Sequence, residues 1–279
     1  MVPPGKIKVE FFYDVVSPYT YLAWQTLKQY RTIWDLEVVL RPVFLGGIMK
    51  GSGNRPPAVV PNKSIFMMED LKRAAHMLKV PLLPVPTNFF SQVAGQILQV
   101  QRLLAAAPNA EIKEKLTESA FRALWEDRSL RDFQNNFIEI NNTFLQKLCK
   151  DAGLSTGAGD ALIEESKSVG KADLMNSTKE AIEKHHIFGS PSFVVHVCGK
   201  VNMFFGGDRV KNLCFHWTTV FSDEYLHFTQ PGVNNFFGGL RWRRFASVKP
   251  CLSMLSSNFI SLWLATGSLS TSKSIRYES

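Results

Sequence analysis

The stretch FFYDVVSPYT, Phe11–Thr20, decides the fold of this chain. Its first residues continue an alternating apolar run that begins at Ile7, and such a run predicts a β-strand. Ser17 and Pro18 end the run, and apolar residues at helical spacing follow from Tyr19 onward. Because serine before proline is a common way to start a helix, the strand is expected to lead into a helix at this serine. From the pattern alone, the serine is as well explained by a helix cap as by a catalytic hydroxyl.

The segments that follow give the order of the elements. Leu36–Arg41 (LEVVLR) is predicted to be a second strand, parallel to the first because a helix joins the two. We expect a loop over 46–61 and mostly helical structure from Lys63 to about His186. A β-hairpin over 192–205 and the start of a last helix follow. This order is that of an α/β, thioredoxin-like fold with an all-helical domain inserted after the second strand.

The element order also predicts how the chain is divided. Residues 1–62 and 177–214 are expected to form the two parts of one thioredoxin-like domain, with the inserted helical domain over 63–176. Residues 215–279 show little helical periodicity and many scattered aromatic side chains. We therefore expect a divergent and poorly ordered tail there, of the kind that an alternative splice ending or translated non-coding sequence would produce.

Composition limits the classes of function. The chain has 279 residues and a net charge of +8, and residues 211–279 carry about half of that excess. Because the two signs interleave elsewhere, no basic stripe is present that would predict nucleic-acid binding. The four cysteines lack C-x-x-C spacing and no secretory signal is recognisable, which favours reduced thiols in an intracellular protein. No apolar run reaches the ~20 residues of a membrane span, and the pair His185-His186 lacks further ligands at the spacing of a metal site.

The loop after the first strand is where a thioredoxin-like domain holds its reactive group. Oxidoreductases place C-x-x-C there, because a helix N-terminus stabilises a thiolate. This chain has Ser17-Pro18-Tyr19-Thr20 instead, which excludes dithiol chemistry at this site. The helix terminus and one hydroxyl donor remain. Together, the helix terminus and the hydrogen bond could stabilise a bound thiolate enough to lower the thiol pKa by about two units from ~8.5. The site therefore suits a thiolate that a ligand brings in.

Two motifs late in the chain could bind the rest of such a ligand. A cis peptide at Ser190-Pro191, directly before a strand, would leave backbone groups free to pair with an extended peptide. Gly206-Gly207-Asp208, at a helix start, could bind a carboxylate through backbone N–H groups and an ammonium through the acidic side chain. Each also has an ordinary structural interpretation, as a strand-start proline and as a helix cap.

Two polar residues flank the first loop. Asn54 and Lys63 would suit a second carboxylate, although solvated loop residues are the simpler interpretation. A ligand with a carboxylate at each end, an ammonium beside one of them and a thiol would satisfy all of these motifs together.

Four motifs in this order resemble those of a known family. FFYDVVSPYTYLAW, RPVFLGGIMKGSGNRPPAVVPNK, FGSP and MFFGGDR closely resemble kappa-class glutathione transferases, and the likeness covers about residues 6–210. The resemblance implies a homodimer of thioredoxin-like subunits in mitochondria or peroxisomes. It implies conjugation of reduced glutathione to electrophiles, with possible hydroperoxide reduction. Glutathione is then a co-substrate, and no further cofactor or metal is implied.

The resemblance implies roles for individual residues. Ser17 would stabilise the glutathione thiolate, and the backbone of Ser190, before the cis-proline candidate Pro191, would pair with the cysteinyl residue. The two ends of the tripeptide have the remaining contacts, the glycyl end with Asn54 and Lys63 and the γ-glutamyl end with Gly207 and Asp208. The family usually has serine where Gly207 stands, and leucine or alanine where Ser190 stands.

Two other functions share this architecture. Glutathione-dependent isomerases of 2-hydroxychromene-2-carboxylate would use the same serine, although the NRPPAVVPNK loop favours the transferase. A non-catalytic thioredoxin-like binding isoform is the third interpretation, because of the divergent tail. The final Tyr-Glu-Ser differs from a peroxisomal tripeptide of the S-K-L kind, so the cytosol is an alternative compartment.

Overall fold

The computed structural model describes residues 7–132, 134, 136–197 and 199–210. The strands in these ranges are β1 (Ile7–Tyr13), β2 (Leu36–Pro42), β3 (Arg131–Asp132), β4 (Phe137–Ile138), β5 (Ser192–Val197) and β6 (Lys200–Phe205). The main sheet has the order β2-β1-β5-β6, and β3 pairs with β4 in a separate short hairpin. β1 and β2 are parallel, as predicted, and the other neighbours in the main sheet are antiparallel. This is the thioredoxin-like sheet that the sequence predicts.

Helices occupy most of the remaining described residues. They are α1 (Pro18–Ile33), α2 (Leu45–Ser52), α3 (Pro61–Leu78), α4 (Ala94–Ala105), α5 (Ala110–Trp125), α6 (Asn142–Asp151), α7 (Thr156–Glu165) and α8 (Lys171–Glu183). The helical insertion between β2 and β5 is therefore confirmed, although the domain boundaries given above stay a prediction. Within the described ranges, no helix combines the length and the apolar character that a membrane span requires.

The loop predicted over 46–61 is partly wrong, because it contains α2 and a short 3₁₀ turn at Pro57–Val59. Glycines are usually signs of a loop, but the glycines of α2 allow close packing. A Cβ on Gly51 would lie 2.8 Å from a side-chain carbon of Ile182 in α8. Ile48 of α2 is fully buried in the same cluster. Burial of this face stabilises a helix that local propensity disfavours.

A second prediction fails before α6. Helical periodicity from Phe133 predicts a helix over 133–148, whereas the helix begins at Asn142 and the β3–β4 hairpin precedes it. The reason is the cap: the Oδ1 atom of Asn141 accepts the backbone N–H of Phe144 at 3.0 Å, and this starts the helix there. Phe133 itself lies outside the described residues.

The two faces of the main sheet have separate cores. On one face, the ring of Phe11 stacks on the rings of Tyr13, Trp24 and Phe193 at centroid distances of 5.2, 6.1 and 5.1 Å. On the other face, Phe12 packs with residues of β5, α2 and α8. Strand alternation therefore places α1 and α8 on opposite faces of β1.

The helical insertion is bonded to the loop between β1 and α1. The side chain of Gln101, in α4, accepts the N–H of Val15 at 3.3 Å and donates to the carbonyls of Tyr13 and Val43 at 3.0 and 2.8 Å. The indole N–H of Trp125, in α5, donates to the carbonyl of Val15 at 2.9 Å. These bonds fix the backbone at Tyr13 and at Val15, shortly before Ser17 in the sequence.

The end of the described chain is a 3₁₀ turn at Gly207–Arg209. The last helix predicted to open here would continue past Val210, and the predicted tail over 215–279 lies entirely outside the described residues. Both stay predictions.

Candidate functional site

Ser17 caps helix α1. Its Oγ atom accepts the backbone N–H of Thr20 at 3.3 Å, its backbone is extended, and Pro18 occupies the first helical position. The residue is 9% exposed, and it lines a cavity. Because the N–H occupies the serine oxygen as an acceptor, the hydroxyl proton remains available for donation. The cap and the catalytic interpretation of Ser17 are therefore compatible.

The cavity beside Ser17 has a volume of about 880 Å³ and mostly apolar walls. Its lining includes the β1–α1 loop and the segment at Gly206–Asp208. The helical insertion contributes to the lining through α3 and the residues around Phe89 and Phe90. A volume of this order holds a drug-sized ligand, and apolar walls strengthen the electrostatic interactions of a charged atom within them.

Six of the seven residues predicted for the site line this cavity. They are Ser17, Asn54, Ser190, Pro191, Gly207 and Asp208. The peptide bond between Ser190 and Pro191 is cis. Lys63 is the exception: it lies exposed in the first turn of α3 and is not among the lining residues.

Asn54 has structural partners of its own. Its Nδ2 atom donates to the carbonyl of Phe188 at 2.8 Å, and its Oδ1 atom accepts the N–H of Arg55 at 2.8 Å. The amide therefore joins the first loop to the segment before Ser190. One amide hydrogen of Asn54 is left for a ligand.

The segment Gly206-Gly207-Asp208 approaches α1 closely. Gly206 has a φ of +101°, which favours glycine, and a Cβ on Gly207 would lie 3.2 Å from the Cβ of Ala23. The side chain of Asp208 is 73% exposed, with one carboxylate oxygen 3.4 Å from the Nε atom of Arg209. The glycines bring the backbone N–H groups of this turn beside the start of α1, and the carboxylate remains accessible to a cationic group.

Asp14 is a buried carboxylate in the cavity wall that the sequence analysis did not select. Its two oxygens accept the N–H groups of Val16 at 3.0 Å and Leu45 at 2.9 Å, so it joins the β1–α1 loop to the start of α2. Burial raises the pKa of Asp14 to about 6, although the two N–H bonds oppose the rise. The one signal in the sequence is an acidic residue at the end of an apolar strand.

Tyr19 and Asp70 form a second polar pair on the cavity wall. The phenol of Tyr19 donates to Oδ2 of Asp70 at 2.9 Å. Burial and this bond raise the pKa of Tyr19, so the phenol stays protonated at neutral pH. No sequence signal predicts the pair, because it depends on how α3 packs against α1.

Ser190 and Thr20 share a buried hydrogen bond. Their hydroxyl oxygens are 2.9 Å apart, and the N–H of Asp14 donates to Oγ of Ser190 at 3.1 Å. Thr20 stands where C-x-x-C proteins have their second cysteine. A hydroxyl that is bonded to Ser190 therefore stands in place of that thiol.

Comparison with known proteins agrees with this geometry. The model of the DSBA-like thioredoxin domain matches residues 8–215. Glutathione S-transferase kappa 1 of Homo sapiens is 34% identical over 227 residues, which are 81% of this chain and 96% of that protein. A more distant relative, 2-hydroxychromene-2-carboxylate isomerase of Sphingobium xenophagum, is 26% identical over 74% of this chain and 95% of its own.

A solved structure shows the same fold. A 2-hydroxychromene-2-carboxylate isomerase superimposes with a TM-score of 0.62 at 18% identity, over 80% of this chain and 100% of that one. At that identity the likeness concerns the fold alone. The matched domain, the 34% identity and the serine-capped helix lead to one conclusion: this chain belongs to the kappa class of glutathione transferases, within the DsbA-like thioredoxin superfamily.

Proposed function

We propose that this chain is a glutathione transferase that binds reduced glutathione in the cavity beside Ser17 and adds its thiolate to electrophiles. The geometry of Ser17 carries the proposal. Its oxygen accepts the N–H of Thr20, so its proton is free to donate into an apolar cavity at the positive end of α1. The transferase relative at 34% identity supports the assignment.

The chemical step begins with loss of the thiol proton to water. The S–H bond breaks, and the electron pair stays on sulfur, where the hydroxyl of Ser17 donates to it. The sulfur then attacks an electrophilic carbon, and the new S–C bond forms as the leaving group departs with its electron pair or as that pair moves onto an acceptor group. One charge-assisted hydrogen bond of about 1.5–3 kcal/mol corresponds to roughly one to two pKa units.

The same thiolate would reduce a hydroperoxide. The sulfur attacks one oxygen, the O–O bond breaks, and the alcohol leaves after it takes a proton. The glutathione sulfenic acid that remains reacts with a second glutathione, which gives the disulfide and water. This reaction requires two glutathione molecules and no residue beyond those that form the thiolate.

The rest of the tripeptide would bind through groups already present at the cavity. The backbone of Ser190 would pair with the cysteinyl residue, the Gly207 N–H and the Asp208 carboxylate would hold the γ-glutamyl end, and Asn54 would contact the glycyl end. Lys63 would reach the glycyl carboxylate only where the ligand extends beyond the cavity rim.

Chromene carboxylate isomerisation is the second candidate, and the relative at 26% identity favours it. The transferase relative has a higher identity of 34%, so we rank isomerisation below glutathione conjugation. Turnover of a chromene carboxylate, with no turnover of an aryl halide electrophile, would reverse this order. Glutathione binding with neither turnover would identify a non-catalytic binding isoform.

The class also supports two broader proposals, that the chain forms a homodimer and that it works in mitochondria or peroxisomes, with the cytosol as the alternative. Light scattering on the purified chain would test the assembly. Fractionation of cells that express the full chain would test the compartment.

The deciding experiment is calorimetric titration of the full chain with reduced glutathione, followed by a thiolate absorbance titration of Ser17→Ala. We expect one glutathione per chain. The variant should bind within about tenfold of wild type while the pKa of its bound thiol rises by about one to two units. Ser52→Ala, at an exposed position in α2 outside the cavity lining, is the control. An unchanged pKa in Ser17→Ala would remove Ser17 from the mechanism.

A further inference from the structure

We propose that the side chain of Ser190 donates a second hydrogen bond to the bound thiolate, beside that of Ser17. The proposal rests on the proposed function, because it concerns the glutathione thiolate in the same cavity. The class resemblance gives Ser190 a backbone contact alone, and the class usually has leucine or alanine there. The hydroxyl is therefore a feature of this chain that the proposed binding mode leaves without a role.

The Ser190 oxygen has two hydrogen-bond partners within the protein. The N–H of Asp14 donates to it at 3.1 Å, and the hydroxyl of Thr20 lies 2.9 Å away. A serine hydroxyl can accept two hydrogen bonds and donate one. If Thr20 donates in the shared bond, both lone pairs of Ser190 are occupied and only its proton remains for a ligand.

Burial determines the direction of that shared bond. Thr20 is fully buried and is not among the cavity-lining residues, whereas Ser190 lines the cavity. If Ser190 donated, the Thr20 proton would have no acceptor within the described residues, and a buried unsatisfied hydroxyl costs about 1–3 kcal/mol. If Thr20 donates, the remaining proton belongs to Ser190 and can reach a ligand or water. The second arrangement is therefore favoured.

Thr20 orients both serines. Its backbone N–H donates to Oγ of Ser17 at 3.3 Å, and its hydroxyl bonds Oγ of Ser190. One residue in the first turn of α1 thus occupies an acceptor site on each serine and leaves each with a proton to donate. Both serines line the same cavity. The result is a pair of hydroxyl donors that would converge on one anionic sulfur.

The experiment measures the pKa of bound glutathione by thiolate absorbance in the full chain. We expect Ser190→Ala to raise that pKa by about one to two units, since one charge-assisted bond is lost. Ser190→Thr keeps the hydroxyl and should restore most of the wild-type value. The control is Ser192→Ala, which removes a buried hydroxyl two residues away that donates to the carbonyl of Gly189 and lies outside the cavity lining.

These variants do not substitute any of the other charged or titratable residues that line the cavity. These residues are Asp14, Tyr19, Asp70, Arg73 and Asp208. A rise in the pKa of bound glutathione in Ser190→Ala that is absent from Ser190→Thr and Ser192→Ala therefore reports the lost hydroxyl. Thr20→Val is the second variant, because it removes the proposed donor to Ser190 and keeps the N–H bond to Ser17; it should raise the pKa by a smaller amount.

The outcomes separate the two proposals. If wild type lowers the thiol pKa and Ser190→Ala leaves it lowered, the second donor is refuted and the proposed function stands. If Ser190→Ala and Ser190→Thr raise it equally, packing is responsible and the second donor is again refuted. If wild type binds glutathione without lowering its pKa, or binds none, the proposed function fails and this inference fails with it. Urea unfolding of each variant identifies any that is not folded.

Discussion

At the scale of single residues, the loop between β1 and α1 and the first turn of α1 hold three polar residues with different tasks. Asp14 joins two loops, Ser17 caps α1, and Thr20 bonds the oxygens of two serines. The oxygens of Asp14 and Ser17 accept backbone N–H groups, and Thr20 supplies one of those N–H groups. The hydroxyl of Ser17 therefore keeps its proton for donation into the cavity that it lines, and an anionic ligand atom requires such a donor.

The raised pKa of Asp14 predicts a specific pH dependence of stability. Its pKa is about 6 in the folded chain, against an ordinary value of 3.8 for an aspartate side chain. The stability this provides is therefore complete below about pH 4 and is lost as the pH rises through 6. Between pH 4 and 7, the free energy of unfolding of Asp14→Asn should rise relative to wild type by up to about 3 kcal/mol. Urea unfolding at several pH values measures the difference.

A carboxylate with the opposite shift provides the control. Hydrogen bonds from Ser129 lower the pKa of Asp127, so its contribution to stability is present at neutral pH and is lost on acidification. Between pH 4 and 7, the difference in free energy of unfolding between Asp127→Asn and wild type should therefore stay nearly constant, and it should shrink only below about pH 4. If the difference in free energy of unfolding between Asp14→Asn and wild type stays constant from pH 4 to 7, the Asp14 carboxyl does not titrate in that interval.

The exposed carboxylate of Asp208 predicts a loss of affinity without a change in thiol chemistry. Asp208→Ala should weaken glutathione binding by about 1–3 kcal/mol, because a charge-assisted bond to the ligand ammonium is lost. Calorimetry with glutathione and with its N-acetyl derivative measures this. Wild type should prefer glutathione, and the variant should discriminate less. Equal discrimination by both proteins would mean that another group holds the ammonium.

At the scale of elements, one glycine determines how the insertion packs. α7 and α8 are joined by a π-helical turn at Ser166–Gly170, which passes close to α4. An added Cβ at Gly170 would overlap the carbonyl oxygen of Arg102 and lie 3.0 Å from the Cβ of Ala106. Backbone atoms cannot move aside as a flexible side chain can, so this contact requires glycine.

Two glycine substitutions should therefore have opposite effects. Gly170→Ala should lower the free energy of unfolding by about 2 kcal/mol or more, since the helices must separate. Gly157→Ala, in α7, has no heavy atom within 4 Å of the new Cβ and should be neutral or stabilising by up to about 1 kcal/mol. Chemical unfolding of both variants measures the contrast. Similar destabilisation by the two would contradict the packing argument.

Local sequence patterns predict the elements with strong alternation or a clear cap, and miss those that packing stabilises. The strands β1 and β5 and the helix after Ser17 follow from pattern and capping. α2 does not, because its glycines gain their stability from contacts with residues more than a hundred positions away. Asn142 begins a helix because Asn141 caps it, whereas apolar periodicity alone placed the start earlier.

At the scale of the whole molecule, the insertion and the thioredoxin-like sheet share one buried side chain. Gln101 is fully buried, and its three hydrogen bonds reach the end of β1, the loop between β1 and α1, and the residue that follows β2. The insertion therefore holds the loop that carries Ser17, in addition to forming part of the cavity wall.

Replacement of Gln101 should affect both stability and the site. Gln101→Leu should lower the free energy of unfolding by at least about 2 kcal/mol, because the buried N–H of Val15 loses its partner. It should also raise the pKa of bound glutathione, because the loop is no longer held. Gln99→Leu, exposed on the same helix, is the matched control. If Gln101→Leu loses stability while the pKa of bound glutathione is unchanged, the insertion does not control the geometry of the loop between β1 and α1.

Much of the candidate site could be predicted from the sequence, because its residues belong to motifs with a chemical reason for their order. Ser17, Ser190 and Asp208 are examples, and all three line the cavity. The pair of Tyr19 and Asp70 could not be predicted, since it depends on the packing of α1 against α3.

The pairing of β1 with β5 has a consequence for synthesis of the chain. β1 can pair with β2 early, but its other edge pairs with β5, which is made only after the whole insertion. At typical rates of translation, that edge of β1 stays unpaired for roughly 10–40 s before β5 is made. The insertion, rich in local helical contacts, can form within that interval. Pauses in translation before β5 should therefore extend the period in which an apolar strand edge is exposed to aggregation and to chaperones.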